Sequence, residues 1–216
     1  MITKRSDSEI SYLPFHITAR TNNKEKFHLD LRKCWSVFSD YLYGINSIFG
    51  AKIYAFTLMS NHYHLLAAFP EKTRGETMCW LQTSLAKVLN TKSDRINHLW
   101  GGPYHGSLIT SPTYFQYALK YIYNNRVSAG ICKNPWTYKY STLRGELGLQ
   151  KLDSPLSPPK PWLGIGIPKD LNSYLHWIGE KHPEGFDELY LTSWRRKEMK
   201  FNTRVARTLN IDGFKL

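Results

Sequence analysis

No stretch of this chain stays apolar for the ~20 residues that a membrane-spanning helix needs, so a membrane-embedded class is not expected. Cysteine is scarce: Cys34, Cys79 and Cys132 are odd in number, scattered, and never spaced as C-x-x-C. That argues against a disulfide framework and against a thiolate zinc site. The first residues, Met1-Ile2-Thr3-Lys4-Arg5-Ser6-Asp7, lack the apolar core that follows the basic residues of a secretory signal. A cytosolic protein with reduced thiols is the expectation. Acid is also in short supply, with 17 Asp and Glu against 29 Lys and Arg, a net charge of +12.

The composition that remains suits a globular core, at 42% hydrophobic. The length of 216 residues fits one medium domain with an appendage. Fourteen per cent of residues are aromatic and the isoelectric point is near 9.6, the electrostatic footprint of a nucleic-acid binder.

Leu13, Phe15, Ile17 and Ala19 alternate with polar residues and predict a first strand. From Asp30, the set Leu31, Cys34, Trp35, Phe38, Tyr41, Leu42 and Ile45 follows helical spacing, and Gly50 closes the helix. Residues 51–58 and 62–69 read as a hairpin around Met59-Ser60-Asn61. Met78, Leu81, Leu85, Val88 and Leu89 mark a second helix, and residues 104–110 a fourth strand. Ser111-Pro112 is a helix start, a hydroxyl cap followed by proline at the first helical position. The order β-α-β-β-α-β-α predicts an α+β fold: a ferredoxin-like antiparallel sheet with helices on one face, plus one further helix and a C-terminal extension. Residues 1–150 form the expected catalytic domain and the Pro-rich segment 151–168 a linker. Residues 169–216 form a basic extension with a short amphipathic helix over Leu171, Tyr174, Leu175 and Ile178, broken at Pro183-Glu184-Gly185.

Asn61-His62-Tyr63-His64-Leu65-Leu66 carries the chemistry. Strand side chains alternate faces, so His62 and His64 point to one side, where two imidazoles can share one metal ion. A third donor must come from elsewhere. In the third helix each residue turns about 100°, so Tyr121 and Asn125, four apart, share a face with Tyr117, and Tyr123 points away. A bound divalent ion polarises a phosphodiester and orients it for in-line attack by a tyrosine that is otherwise a weak nucleophile. The bland reading is a tyrosine-rich helix packed on a sheet.

These residues resemble the single-tyrosine HUH transposases, specifically the REP-associated tyrosine transposase group. The resemblance runs through His16-Ile17-Thr18-Ala19-Arg20-Thr21-Asn22-Asn23-Lys24, Met59-Ser60-Asn61-His62-Tyr63-His64-Leu65-Leu66, Leu99-Trp100-Gly101-Gly102-Pro103-Tyr104-His105-Gly106 and the helix from Leu119 to Gly130. It covers about residues 11 to 145, motif after motif in order. It implies Mg²⁺ or Mn²⁺ held by His62, His64 and Asn125, with Tyr121 as nucleophile and His62 and His64 as catalytic partners. It also implies single-stranded DNA cut beside hairpins through a 5′-phosphotyrosine, leaving a free 3′-OH. The family's Gln-Gly-Arg is here Gly101-Gly102-Pro103, which removes a basic residue. His16, Arg20, Lys120 and Arg126, lying in the resembling segments, are expected DNA contacts. Arg195, Arg196 and Lys197 join them from the basic tail. A monomer and a homodimer both occur among such proteins. Two alternatives stay open: an inactive hairpin DNA- or RNA-binding module, and a metal nuclease that uses water in place of Tyr121.

Overall fold

The structure, a computed structural model, describes residues 10–158, 167–180 and 184–209. The expectations about Met1–Asp7, the end of the Pro-rich linker and the break at Pro183 lie outside those residues. Four strands, β1 (Ser11–Arg20), β2 (Lys52–Leu58), β3 (His62–Phe69) and β4 (His105–Leu108), form one antiparallel sheet in the order β2-β3-β1-β4. Helices α1 (Leu31–Phe49) and α2 (Arg74–Lys92) connect them as expected for a ferredoxin-like fold, and α3 (Pro112–Ser128) follows β4.

The predicted helix signals act locally. Asp30 accepts a hydrogen bond from the Arg32 amide to start α1, and Gly50 ends it in the left-handed conformation at φ 66°. A side chain at Gly50 would run into the Glu71 carboxylate as well. Thr73 and Glu76 form a reciprocal capping box on α2. Ser111 accepts from the Tyr114 amide ahead of α3, with Pro112 at its first position.

β3 is buried along its whole length because both faces of the sheet are covered. Tyr63, Leu65, Ala67 and Phe69 join Phe15, Ile17 and Ala19 in a core under α1 and α2. Leu66 and Ala68 face the other way, into a second core with Phe115, Leu119 and Ile122 of α3. The extension belongs to that second core. Its helices are α5 (Leu171–Gly179), α6 (Phe186–Trp194) and α7 (Thr203–Thr208), with a single turn α4 (Leu143–Glu146) before them. Phe186, Tyr190, Ile178 and Ala206 are each fully buried in it.

Both sheet edges are also capped. The Leu108 amide donates to the Lys197 carbonyl at 2.8 Å, and the Met199 amide to the Leu108 carbonyl at 2.9 Å, so the extension adds a bridge to β4. The Leu58 amide donates to the Tyr140 carbonyl at 2.9 Å along β2. Covering unpaired strand edges in this way removes a template for association with another chain. Among the described residues no helix is long and apolar enough to cross a membrane. Cys34, Cys79 and Cys132 are free thiols.

Candidate active site

The register of β1 against β3 sets the site. Arg20 lies opposite His62, Thr18 opposite His64, and His16 one step further along, opposite Leu66. Thr18 also pairs with His105 of β4. Because alternate residues share a face, His16, His62, His64 and His105 all lie on the side of the sheet that α3 covers. From α3, Tyr121 meets His64 edge to face with ring centroids 5.7 Å apart. The His62 and His64 rings are 5.1 Å apart at a steep angle. Asn125, one turn beyond Tyr121 on α3, lines the same cleft as Tyr121, His62 and His64. The neighbouring side chains are committed elsewhere. Asn124 donates to the Ile178 carbonyl at 2.6 Å, and Tyr123 donates to Glu146 at 3.2 Å, inside the second core as the helical phase requires.

Hydrogen bonds fix how the histidines present themselves. Asn61 donates through Nδ2 to the Lys24 carbonyl at 2.7 Å, so its Oδ1 is the atom 2.7 Å from His62 Nδ1. His62 therefore carries its proton on Nδ1 and keeps a lone pair on Nε2. His64 Nδ1 lies 2.9 Å from His16 Nε2, and His64 Nε2 is buried with no hydrogen-bond partner. Burial lowers His16 and His62 to about 3, with positive neighbours adding to the effect, and holds His64 well below the usual imidazole range. All three rings are neutral at pH 7. Burial pushes the Tyr121 phenol up to about 12, Asp187 adds to this, and the nearby Asn125 amide and Arg20 pull the other way.

His62, His64, Tyr121 and Asn125 line an open cleft of about 680 Å³. Arg20 and Arg195 stand at its walls with His105, Asn125 and Pro103. Pro103, the residue that stands where the resembling family has a basic one, lines this wall and adds no charge to it, as the sequence implies. Arg196 and Lys197 are exposed beyond it.

Three of the expected DNA contacts are built into the fold instead. His16 is wholly buried. Lys120 Nζ pairs with Glu180 at 3.0 Å and lies 4.8 Å from the Trp177 ring centre. Arg126 donates to the Leu58 carbonyl at 3.3 Å and stacks 4.6 Å over Tyr138. The physical reason is that α3 is covered on several sides, by the sheet, α5 and the segment around Tyr138. Its cations turn inward to partners and have no free charge for phosphate.

Sequence reasoning missed α6. Tyr190 stacks on Tyr121 with ring centroids 4.1 Å apart and planes 16° apart. Trp194 packs 5.2 Å from His16 and 4.8 Å from His105, and its carbonyl accepts from His105 Nε2 at 2.6 Å. The signal was present: Phe186, Leu189, Tyr190 and Trp194 recur at helical spacing after Gly185. What spacing cannot give is which surface that stripe covers. The role of Asn61 was equally unread, because the Lys24 carbonyl that orients its amide toward His62 lies in the loop after β1.

Among the described residues, no cluster of three or more His, Cys, Asp or Glu side chains is arranged to hold a metal ion. The donor set present is different: two neutral imidazoles and an amide. The unpartnered, buried Nε2 of His64 and the uncommitted Nε2 of His62 fit a small divalent cation with nitrogen and oxygen ligands.

Comparison with known proteins agrees with the architecture. No curated protein matches the chain. Among solved structures, one described as the REP-associated tyrosine transposase bound to a REP hairpin superposes with a TM-score of 0.54 at 17% identity. That match covers 67% of this chain and 86% of the other, and it shows a shared fold. A putative transposase from Deinococcus radiodurans R1 aligns at 19% identity over 53% of this chain and 92% of its own, with a TM-score of 0.39. The model of the family described as transposase IS200 like matches residues 9–125, more than half of the sequence and the segment that carries β1 to β4, His62, His64, Tyr121 and Asn125. The chain belongs to the IS200-like transposase family.

Proposed function

We propose that this transposase is a metal-dependent endonuclease and strand transferase for single-stranded DNA, cutting beside hairpins through a 5′-phosphotyrosine on Tyr121. The observation that carries the reading is one cleft lined together by Tyr121, Asn125, His62 and His64. The REP hairpin bound to the structural neighbour supports a hairpin as the substrate class.

His62 and His64 would hold the ion through their Nε2 atoms and Asn125 through its amide oxygen. When bound, Mg²⁺ or Mn²⁺ supplies positive charge to the scissile phosphate and lowers the cost of a phenolate. The chain's own groups do the rest. Tyr121 Oη forms the new bond to phosphorus while the bond to the 3′ oxygen breaks. The phenolic proton is released, and the departing oxygen leaves as a 3′-OH. The phosphodiester is exchanged for a phosphotyrosine ester, which keeps the strand activated for rejoining. Arg20 and Arg195 at the cleft walls offer charge to the flanking phosphates. Asn125 and Arg20, near the phenol, favour the phenolate against the burial that opposes it.

The test is incubation of the full chain with a hairpin-bearing single strand and Mn²⁺, followed by denaturing electrophoresis. A denaturation-resistant protein–DNA adduct that needs Mn²⁺ and disappears in Tyr121→Phe is expected. Cleavage without an adduct would replace the reading with water as nucleophile, and binding without cleavage would reduce the protein to a binding module.

A further inference from the structure

The metal-facing atom of each cleft histidine is decided by what its other nitrogen does. A ligating imidazole donates its second ring N–H to a fixed acceptor, which sets both the tautomer and the ring orientation. His62 has such an acceptor in Asn61, which is locked in place by the Lys24 carbonyl. His64 has none on its own strand. Its Nδ1 lies 2.9 Å from Nε2 of His16, a side chain reached only across the β1–β3 register. His16 Nδ1 in turn lies 3.1 Å from the Tyr190 hydroxyl. The His16 and His64 rings meet edge to edge, with centroids 5.1 Å apart and planes 29° apart, and Trp194 packs beside both, 5.2 Å from His16 and 6.5 Å from His64.

Two proton arrangements satisfy this chain of atoms. In one, Tyr190 donates to His16 Nδ1, and His16 Nε2–H donates to His64 Nδ1. The His64 proton then sits on Nε2, in a buried position with no acceptor, and no ligand lone pair exists there. In the other, His64 Nδ1–H donates to His16 Nε2 and His16 Nδ1–H donates to the Tyr190 oxygen. His64 Nε2 is then a bare lone pair, as is Nε2 of His62, on two rings 5.1 Å apart that line one cleft. Only the second arrangement equips both histidines for one cation.

We infer that His16 is a positioning residue. It accepts the His64 Nδ1 proton, is anchored by Tyr190, and so holds His64 in the Nε2-ligating tautomer for a divalent cation. The inference rests on the metal-dependent reading above. It gives the first strand a part in that site, and it gives a residue of the C-terminal extension an indirect one. It also explains why a polar ring is carried at a position with no exposure to solvent or DNA.

The test compares Mn²⁺ affinity by titration calorimetry in the full chain, with thermal unfolding as the control for folding. His16→Leu removes the acceptor and should weaken Mn²⁺ binding about 10- to 100-fold. His16→Gln places an amide oxygen near the lost Nε2 and should return affinity to within about three-fold of the starting protein. Nitrogen-15 spectra of the imidazoles, taken without metal, should find the His64 proton on Nδ1 in the starting protein and redistributed in His16→Leu. Where His16→Leu fails to fold, His16→Gln and Tyr190→Phe carry the comparison, the latter weakening Mn²⁺ several-fold by freeing His16. Unchanged affinity in His16→Leu, or a His64 proton on Nε2 in the starting protein, would overturn the inference. If the starting protein took up no Mn²⁺, the metal-dependent reading itself would fall. The His64 tautomer would then decide the role of His16 alone.

Discussion

Tyr121 and Tyr123 are two residues apart on one helix and do different work. Tyr121 lines the cleft and Tyr123 is sealed between Thr142 and Glu146. Tyr123→Phe should keep adduct formation and cost about 1 kcal/mol of stability for the lost buried hydrogen bond, measured by urea unfolding. Loss of the adduct in Tyr123→Phe with retention in Tyr121→Phe would reverse the assignment. The buried histidines make a separate prediction about pH. In the unfolded chain they charge below about 6.5, whereas burial keeps His16 and His62 neutral in the fold down to about 3. The unfolded state therefore binds more protons across that window. Stability present above pH 6.5 should fall as pH drops toward 3, by about 1.4 kcal/mol per pH unit for each buried ring. Urea midpoints of metal-free protein at pH 8, 6 and 5 check this, and a flat series would contradict it. At this scale the His62 and His64 pair was legible because strand side chains repeat every two residues, and Tyr121 with Asn125 because helices repeat near four. The partner of His16 was not legible, since it depends on how β1 registers against β3. Nor were the inward turns of Lys120 and Arg126, which depend on what packs around α3.

Among the elements, the sheet and α1 to α3 followed from local signals: Asp30 and Gly50 for α1, Ser111-Pro112 for α3, and alternation in β1. The extension was harder to read. It looked like a basic appendage behind a Pro-rich linker, and residues 167–180 and 184–209 instead complete the second core and bridge β4. Local periodicity reports that a stripe is apolar and leaves its destination open. The consequence is measurable. Phe186, outside the residues matched by the family model, is fully buried against Tyr117 and Tyr190. Phe186→Ala should cost about 3–5 kcal/mol in urea unfolding. A cost below about 1 kcal/mol would mean that the extension is only loosely attached. Truncation ahead of α5 should by the same argument give a protein that aggregates, because it uncovers the outer face of α3.

For the whole molecule, the charge of +12 sets how it meets its substrate. Hairpin-bearing single-stranded DNA should bind with an affinity that falls linearly in log–log form with salt, at a slope of about −0.7 for each phosphate neutralised. Arg20 and Arg195 are exposed at the cleft walls. Replacing both with alanine should flatten that slope by about one unit or more. Replacing Lys120, which is committed to Glu180, should destabilise the fold and leave the slope unchanged. The reverse pattern, read by fluorescence anisotropy, would move the DNA path off the cleft. The central claim is that this cleft transfers a DNA strand onto one particular oxygen. Its most direct measurement is mass spectrometry of the Mn²⁺-dependent adduct after protease and nuclease digestion. The account predicts a single modified peptide, carrying a 5′-linked nucleotide on Tyr121. A nucleotide on Tyr117, Tyr123 or Tyr190, or free cleaved DNA with no modified peptide at all, would contradict it.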